Sequence, residues 1–182
     1  MTSSANGINL TKAFEQCRLV AYWDGTYLDA AKTIKRQTIG WGTTRYPEGS
    51  LVQITDTCVQ SDADNWLVLD KAKADGVLSN CFIPCLTNQN QFDSISDFVY
   101  NAGIGSFLNS ALKRLLIGGL VQQAADELPK WKFSNGEPSN GELRRRYAER
   151  ALFLGDFKPD GSLKTTKEDF PDAVWIEMKG ET

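Results

Sequence analysis

With 182 residues, of which 41% are hydrophobic and 24% charged, the chain is long enough to bury the core of one domain or a closely joined pair of lobes. A net charge of −3 and a pI near 5.1 offer no basic field to nucleic acid, and no apolar run approaches the roughly 18 residues of a membrane span. There is no histidine, so the commonest general base and metal ligand is missing, and catalysis falls to carboxylates, hydroxyls, lysine or cysteine.

The opening Met1 to Gly7 has neither a basic nor an apolar stretch, so no secretory signal is expected and the chain is expected to accumulate in the cytoplasm of the cell that makes it. Asn9 to Leu19 reads as a short helix, with Leu10, Ala13, Phe14 and Cys17 at helical spacing. Tyr22 to Thr44, rich in Thr, Tyr, Trp and Ile and broken by Gly25, Gly40 and Gly42, reads as a small β-hairpin region. Thr57 or Ser61 is placed to cap a long helix reaching about Leu78, suited to joining two lobes.

Beyond Pro84 the pattern is helical. Thr87 is the candidate N-cap of a helix carrying Phe92, Ile95, Phe98 and Val99 on one face. Gly103 and Gly105 break it, and helices over Leu108–Leu116 and Val121–Leu128 follow, separated by Gly118 and Gly119. Pro129 to Gly141 reads as a loop, and Glu142 to Leu154 as an arginine-rich helix stopped by Gly155. The expected class is α+β: a small β-containing N-terminal lobe, a connecting helix and a helical C-terminal lobe in one domain over 1–155. From Asp156 onward seven carboxylates meet four lysines, so the whole net charge resides in an acidic tail, 156–182. Its Phe170, Val174, Trp175 and Ile176 are costly to leave in water, and the tail is expected to pack on the body.

The four cysteines, Cys17, Cys58, Cys81 and Cys85, match neither a zinc pattern nor a C-x-x-C motif, and free thiols are the expectation. The residue set that suits chemistry is Glu15, Asp24 and Thr38, around the helix-to-hairpin transition. Glycoside hydrolysis needs one carboxylic acid to protonate the leaving oxygen and a second polar group to hold water or stabilise positive charge. Two carboxylates nine apart are nonetheless unspecific, and on spacing alone they are solvated surface charges.

The surrounding segments carry more. Phe14-Glu15, Leu19 to Asp24 and Thr38-Ile39-Gly40-Trp41-Gly42 resemble, in order, the active-site signature of the phage-type lysozymes, glycoside hydrolase family 24. Leu86 to Asp93, Phe98 to Gly105 and Leu143 to Phe153 resemble later segments of the same family, so the likeness spans about residues 8 to 155. The resemblance implies a lysozyme-like fold and Glu15 as general acid, with Asp24 and Thr38 activating and holding the attacking water. It implies cleavage of the β-1,4 bond between N-acetylmuramic acid and N-acetylglucosamine in bacterial peptidoglycan, without metal or organic cofactor. It also implies a monomer that waits in the host cytoplasm until a separate protein permeabilises the membrane. One arginine of the 144–146 run is expected near the acid, and Arg145 is chosen by its distance to Phe153.

Two features depart from the family pattern. Asp24 and Thr38 stand fourteen apart where about six residues are usual, so Gly25 to Gln37 is expected to form an enlarged hairpin. Thr33-Ile34 offers a competing register, but only Thr38 runs on into Gly40-Trp41-Gly42. Thr43 stands where the family commonly has histidine, with an expected effect on stability or local geometry. Trp41, Trp131 and Asn101 are candidate sugar contacts, each with a structural alternative: the tryptophans in the core and Asn101 capping a turn. The arginine run suits an internal ion-pair network. Other functions open at this point are a non-hydrolytic glycan-binding module, a glycosidase on another amino-sugar polymer, and a transglycosylase.

Overall fold

The first helix, α1 (Ala5–Phe14), begins and ends earlier than its apolar stripe predicts. In the computed structural model, which describes residues 1–28, 35–81, 83–84, 86–134, 136–173 and 175–176, the reason for the early start is visible in the serines before it. Ser3 donates its backbone N–H and hydroxyl to Asp75, each at 2.8 Å, and Ser4 binds Asp93 in the same two ways. Gly7, Leu10 and Thr11 make the buried side of the helix, while Ala13 is exposed. The early stop follows from the next segment, since Leu19 to Ala21 are taken up in strand pairing.

The described residues divide into two compact units, Thr11–Lys73 and Met1–Leu10 with Ala74–Thr182. In the first, β1 (Arg18–Leu28) runs antiparallel to β2 (Lys35–Gly40). The register is Tyr22 opposite Thr38, Trp23 opposite Gln37 and Asp24 opposite Arg36, with shifts on either side of this stretch. Within the first shift, between Arg18–Gly40 and Tyr22–Thr38, β1 also bonds elsewhere: Ala21 donates to Asp56 O at 3.0 Å and Cys58 donates to Leu19 O at 2.9 Å. Ala21, Ile39 and Val52 form the core, flanked by Tyr46, Cys58 and Trp66. Tyr46 and Trp66 meet edge to face with centroids 5.0 Å apart.

Helix α2 (Gln60–Asn80) supplies Ala63 and Leu67 to this unit's interior and Ala74 and Leu78 to the core of the other. Neither Thr57 nor Ser61 is its N-cap. The helix starts at Gln60, and the carboxylate of Asp62 turns back to accept the N–H of Val59 at 3.3 Å.

The second unit is helical. Helix α3 (Gln89–Ala102) is capped by Asn88 instead of Thr87: the Asn88 side chain accepts from the Gln91 N–H, and Gln91 reaches back to the Asn88 N–H. This reciprocal capping box satisfies two donors where Thr87 would satisfy one. After Gly103 come α4 (Ile104–Leu108), which includes Gly105, α5 (Ala111–Ile117) capped by Ser110, and α6 (Val121–Glu127). The stretch read as a loop holds a two-residue hairpin, β3 (Phe133–Ser134) with β4 (Glu137–Pro138). Helix α7 (Asn140–Leu154) starts at Ser139, whose hydroxyl accepts from Glu142 N–H, and stops at Gly155 with φ of 72°. α3 packs on α7 around Ile95, Phe98, Val99, Phe107 and Phe153, each buried side chain contributing about 1.5–3 kcal/mol.

After Gly155 the only regular element among the described residues is a short 3-10 turn, Lys167–Asp169. Phe170 stacks on Tyr147 of α7 at 5.7 Å, and Trp175 meets the same ring edge-on at 5.9 Å. The Asn140 side-chain amide brackets the backbone of Ile176, donating to its carbonyl and accepting from its N–H at 2.9 Å each. Val174 and Met178 lie outside the described residues.

Candidate functional site

Glu15, Asp24 and Thr38 all belong to the first unit. Glu15 follows the last residue of α1, its N–H still donating to Thr11 O at 3.1 Å, and its side chain is half-buried. Asp24 is half-buried on β1. Thr38 is buried on β2 at 1% exposure, and its hydroxyl has no hydrogen-bond partner among the described residues. Because side chains alternate along a strand, Tyr22, Asp24, Arg36 and Thr38 share one face of the hairpin. Trp23, half-exposed, points to the other.

Tyr22 links these residues electrically. Burial first, then the Asp24 carboxylate and, more weakly, that of Glu15 push its phenol above the usual tyrosine range, against the downward pull of Arg18. Both carboxylates therefore act on one point of the strand.

The segment after Thr38 is fixed by close packing. Ile39 and Thr43 exchange backbone hydrogen bonds of 2.9 and 3.0 Å around Gly40-Trp41-Gly42. Gly40 has φ of 62°, and a Cβ there would lie 3.1 Å from Ala63 Cβ, so both backbone and packing demand glycine. The turn sends Trp41 Nε1 to Asp64 Oδ1 at 2.7 Å, with Lys12 Nζ 2.8 Å from the same oxygen and 5.3 Å from the indole centroid. Lys12, Trp41 and Gln60 together hold the Asp64 carboxyl below its ordinary range, the Lys12 hydrogen bond most strongly. Thr43, buried, donates to Asp70 Oδ2 at 3.1 Å, while Lys73 takes Oδ1 at 2.7 Å. Where the family commonly has histidine, this chain thus has a hydroxyl donor to the Asp70 side chain. Thr33-Ile34, the competing register, lies outside the described residues.

The family model for phage lysozyme matches residues 12–149. The chain belongs to the phage lysozyme family. Among its relatives, the endolysin of Bacillus phage PZA is 39% identical over 154 residues, covering 84% of this chain and 55% of that protein. The endolysin of Bacillus phage B103 is 37% identical over 184 residues, covering 100% of this chain and 65% of that one. The chain thus spans between about half and two thirds of the length of these relatives. Among solved structures, a mutant of P22 lysozyme superposes with a TM-score of 0.71 at 32% identity, covering 85% of this chain and 99% of that one. The lysozyme-like α+β fold is therefore the observed one.

The remaining sequence candidates lie in the helical unit. Arg145, buried at 3% exposure, forms a bidentate ion pair with Asp97 at 2.9 and 3.0 Å. Arg146 donates to Asn101 Oδ1 at 2.5 Å, sits 2.9 Å from Glu149 Oε1, and lies over the Phe98 ring at 5.0 Å. Asn101 is an acceptor in this network, and Arg145 and Arg146 make the internal ion pairs that the arginine run suggests. Burial pushes the Glu149 carboxyl well above its ordinary range, with Arg146 opposing. Trp131 is half-buried against the helical core, edge-on to Phe98 at 5.1 Å. Trp41 and Asn101 are likewise engaged within the protein.

Cys17, Cys58 and Cys81 are free thiols; Cys85 lies outside the described residues. No group of three or more His, Cys, Asp or Glu side chains placed to hold a metal occurs among the described residues. No described helix is long and apolar enough to cross a membrane. Arg18 is the residue that sequence reasoning missed. Its guanidinium stacks on Tyr22, and strand periodicity gives no signal for a contact between residues four apart.

Proposed function

We propose that the chain is an endolysin-type muramidase, hydrolysing the β-1,4 bond between N-acetylmuramic acid and N-acetylglucosamine in bacterial peptidoglycan. The carrying observation is the strand register, which sets Asp24 and the buried hydroxyl of Thr38, without a hydrogen-bond partner among the described residues, on one face of the hairpin. Glu15, whose charge acts on the same tyrosine as that of Asp24, protonates the leaving glycosidic oxygen. Thr38 holds a water on the hairpin face, and Asp24 takes its proton as it attacks the anomeric carbon. Direct attack of this kind inverts the anomeric configuration.

In this reading no cofactor takes part and the protein acts as a monomer on the cell wall, not on nucleic acid or within the membrane. It stays in the host cytoplasm until a separate membrane-permeabilising protein gives it access to the wall. Arg145 acts by supporting the framework of its own helical unit through Asp97, and Trp41, Trp131 and Asn101 are secondary candidates for glycan contact.

The test is clearing of purified peptidoglycan by the wild type, Glu15→Gln and Asp24→Asn. Clearing by the wild type with new reducing ends, and loss of at least about a hundredfold in Glu15→Gln, is expected for a general acid. Equal clearing by Glu15→Gln removes it from the mechanism. Retention on the wall without clearing by any of the three indicates a binding module, and anhydro-muramic ends indicate a transglycosylase.

A further inference from the structure

Arg18 Cζ lies 4.4 Å from the centroid of the Tyr22 ring. In an undistorted strand two residues four apart are separated by about 13 Å, so this stack needs a local cause. The cause is the register shift between Arg18 and Tyr22: β1 pairs with β2 at Arg18–Gly40 and again from Tyr22–Thr38 onward, while Leu19 and Ala21 in between bond to residues 58 and 56. Such an irregularity bends a strand and re-aims its side chains. Here it lays an exposed guanidinium on a half-buried ring, an arrangement that holds the ring by cation–π attraction.

The ring held in this way stands opposite Thr38 and two residues before Asp24, on the face those residues share. We propose that Tyr22 is a substrate-contacting residue of this site, its phenol O–H donating to an oxygen of the bound sugar, and that Arg18 is the positioning residue that fixes its ring. The inference rests on the glycosidase reading above. Its chemistry is consistent with the surroundings: burial and the two carboxylates keep the phenol protonated, so at neutral pH it is a donor. A donor on the face that carries Asp24 and Thr38 locates the sugar relative to those residues, and misplacement of about 1 Å costs on the order of 100-fold in rate.

The experiment uses a soluble peptidoglycan oligosaccharide, so that kcat and KM are separable, with Tyr22→Phe, Arg18→Gln, Arg18→Lys and Glu15→Gln compared with the wild type. Tyr22→Phe keeps the ring and its stack and removes only the O–H. The expected result is a fall in kcat of about tenfold or more with little change in unfolding midpoint. Arg18→Gln should reproduce part of that kcat loss and Arg18→Lys, which restores a cation above the ring, should recover it. Wild-type kcat and KM in both Tyr22→Phe and Arg18→Gln overturn the proposal while an inactive Glu15→Gln leaves the glycosidase reading standing. An active Glu15→Gln overturns both. If Tyr22→Phe is unstable, the two variants at the exposed Arg18 decide, because a purely structural role moves the midpoint without the recovery by lysine.

Discussion

Tyr22 and Thr38 stand directly opposite one another on β1 and β2, the tyrosine half-buried and the threonine almost wholly enclosed. With no partner among the described residues, the threonine hydroxyl is a cost to the fold, since a buried group left so forfeits about 1–3 kcal/mol of hydration. Thr38→Val is therefore expected to raise stability by about 1 kcal/mol, while lowering the rate of peptidoglycan clearing by about 100-fold. Thermal unfolding and turbidity clearing measured on one preparation check both signs. A less stable valine variant would show that the hydroxyl has a structural partner.

Gly40 supports that same threonine from two residues away. An alanine at φ of 62° costs about 1–2 kcal/mol in backbone strain, and its Cβ at 3.1 Å from Ala63 adds to that. Gly40→Ala is expected to lower the urea unfolding free energy by about 2 kcal/mol and to reduce activity in step, as Thr38 and Trp41 move with the turn.

The Asp97–Arg145 and Glu149–Arg146 pairs are expected to respond oppositely to neutralisation. Asp97→Asn leaves Arg145 buried without its bidentate carboxylate, at a cost of about 3–5 kcal/mol. Glu149 differs, because burial raises its folded pKa above the unfolded value of about 4.3. Its contribution to stability is present below that unfolded value and is lost as pH rises through the folded one. Glu149→Gln should thus gain on the wild type as pH climbs from about 4 to 8. Unfolding midpoints of the three proteins across that range provide the measurement.

Asp169 pins the tail. Burial opposes its ionisation, yet the N–H groups of Thr166 and Thr165 and the ammonium of Lys158 hold its carboxyl at about 2. Its contribution is present above the unfolded value of about 3.9 and is lost as pH falls through the folded one. Hydrogen-exchange protection of the Phe170 and Ile176 amides should fall in Asp169→Asn at neutral pH. The difference from the wild type should close between about pH 4 and 2.

The helices, the hairpin and the α7 stop were legible because each rests on local chemistry: apolar spacing at Phe92, Ile95 and Val99, the glycines flanking Trp41, and glycine at 155. The candidate carboxylates were legible only through the ordered segments around them, since nothing local to Glu15 or Asp24 distinguishes a reactive carboxyl from a solvated one. Helix starts were misread where the deciding partner is remote or reciprocal. Ser3 and Ser4 anchor α1 through Asp75 and Asp93, and Asn88 overrides Thr87 because Gln91 answers it. The Arg18–Tyr22 stack was invisible for a related reason: it depends on a register shift in β1, where Leu19 and Ala21 bond to residues 58 and 56, and such pairing is a tertiary property.

The matched rungs from Tyr22–Thr38 to Asp24–Arg36 have a consequence for variation in length. The strands stay paired past Asp24–Arg36 as far as Leu28 opposite Lys35, with the register shift confined to the stretch between Asp24 and Leu28, so a change of length beyond that last pair need not shift the rungs that carry Asp24 and Thr38. Doubling the length of a segment that connects two paired strands costs only about 0.6 kcal/mol in closure entropy. The fourteen-residue separation of Asp24 and Thr38 is therefore compatible with the same rungs that a shorter connection would leave in place.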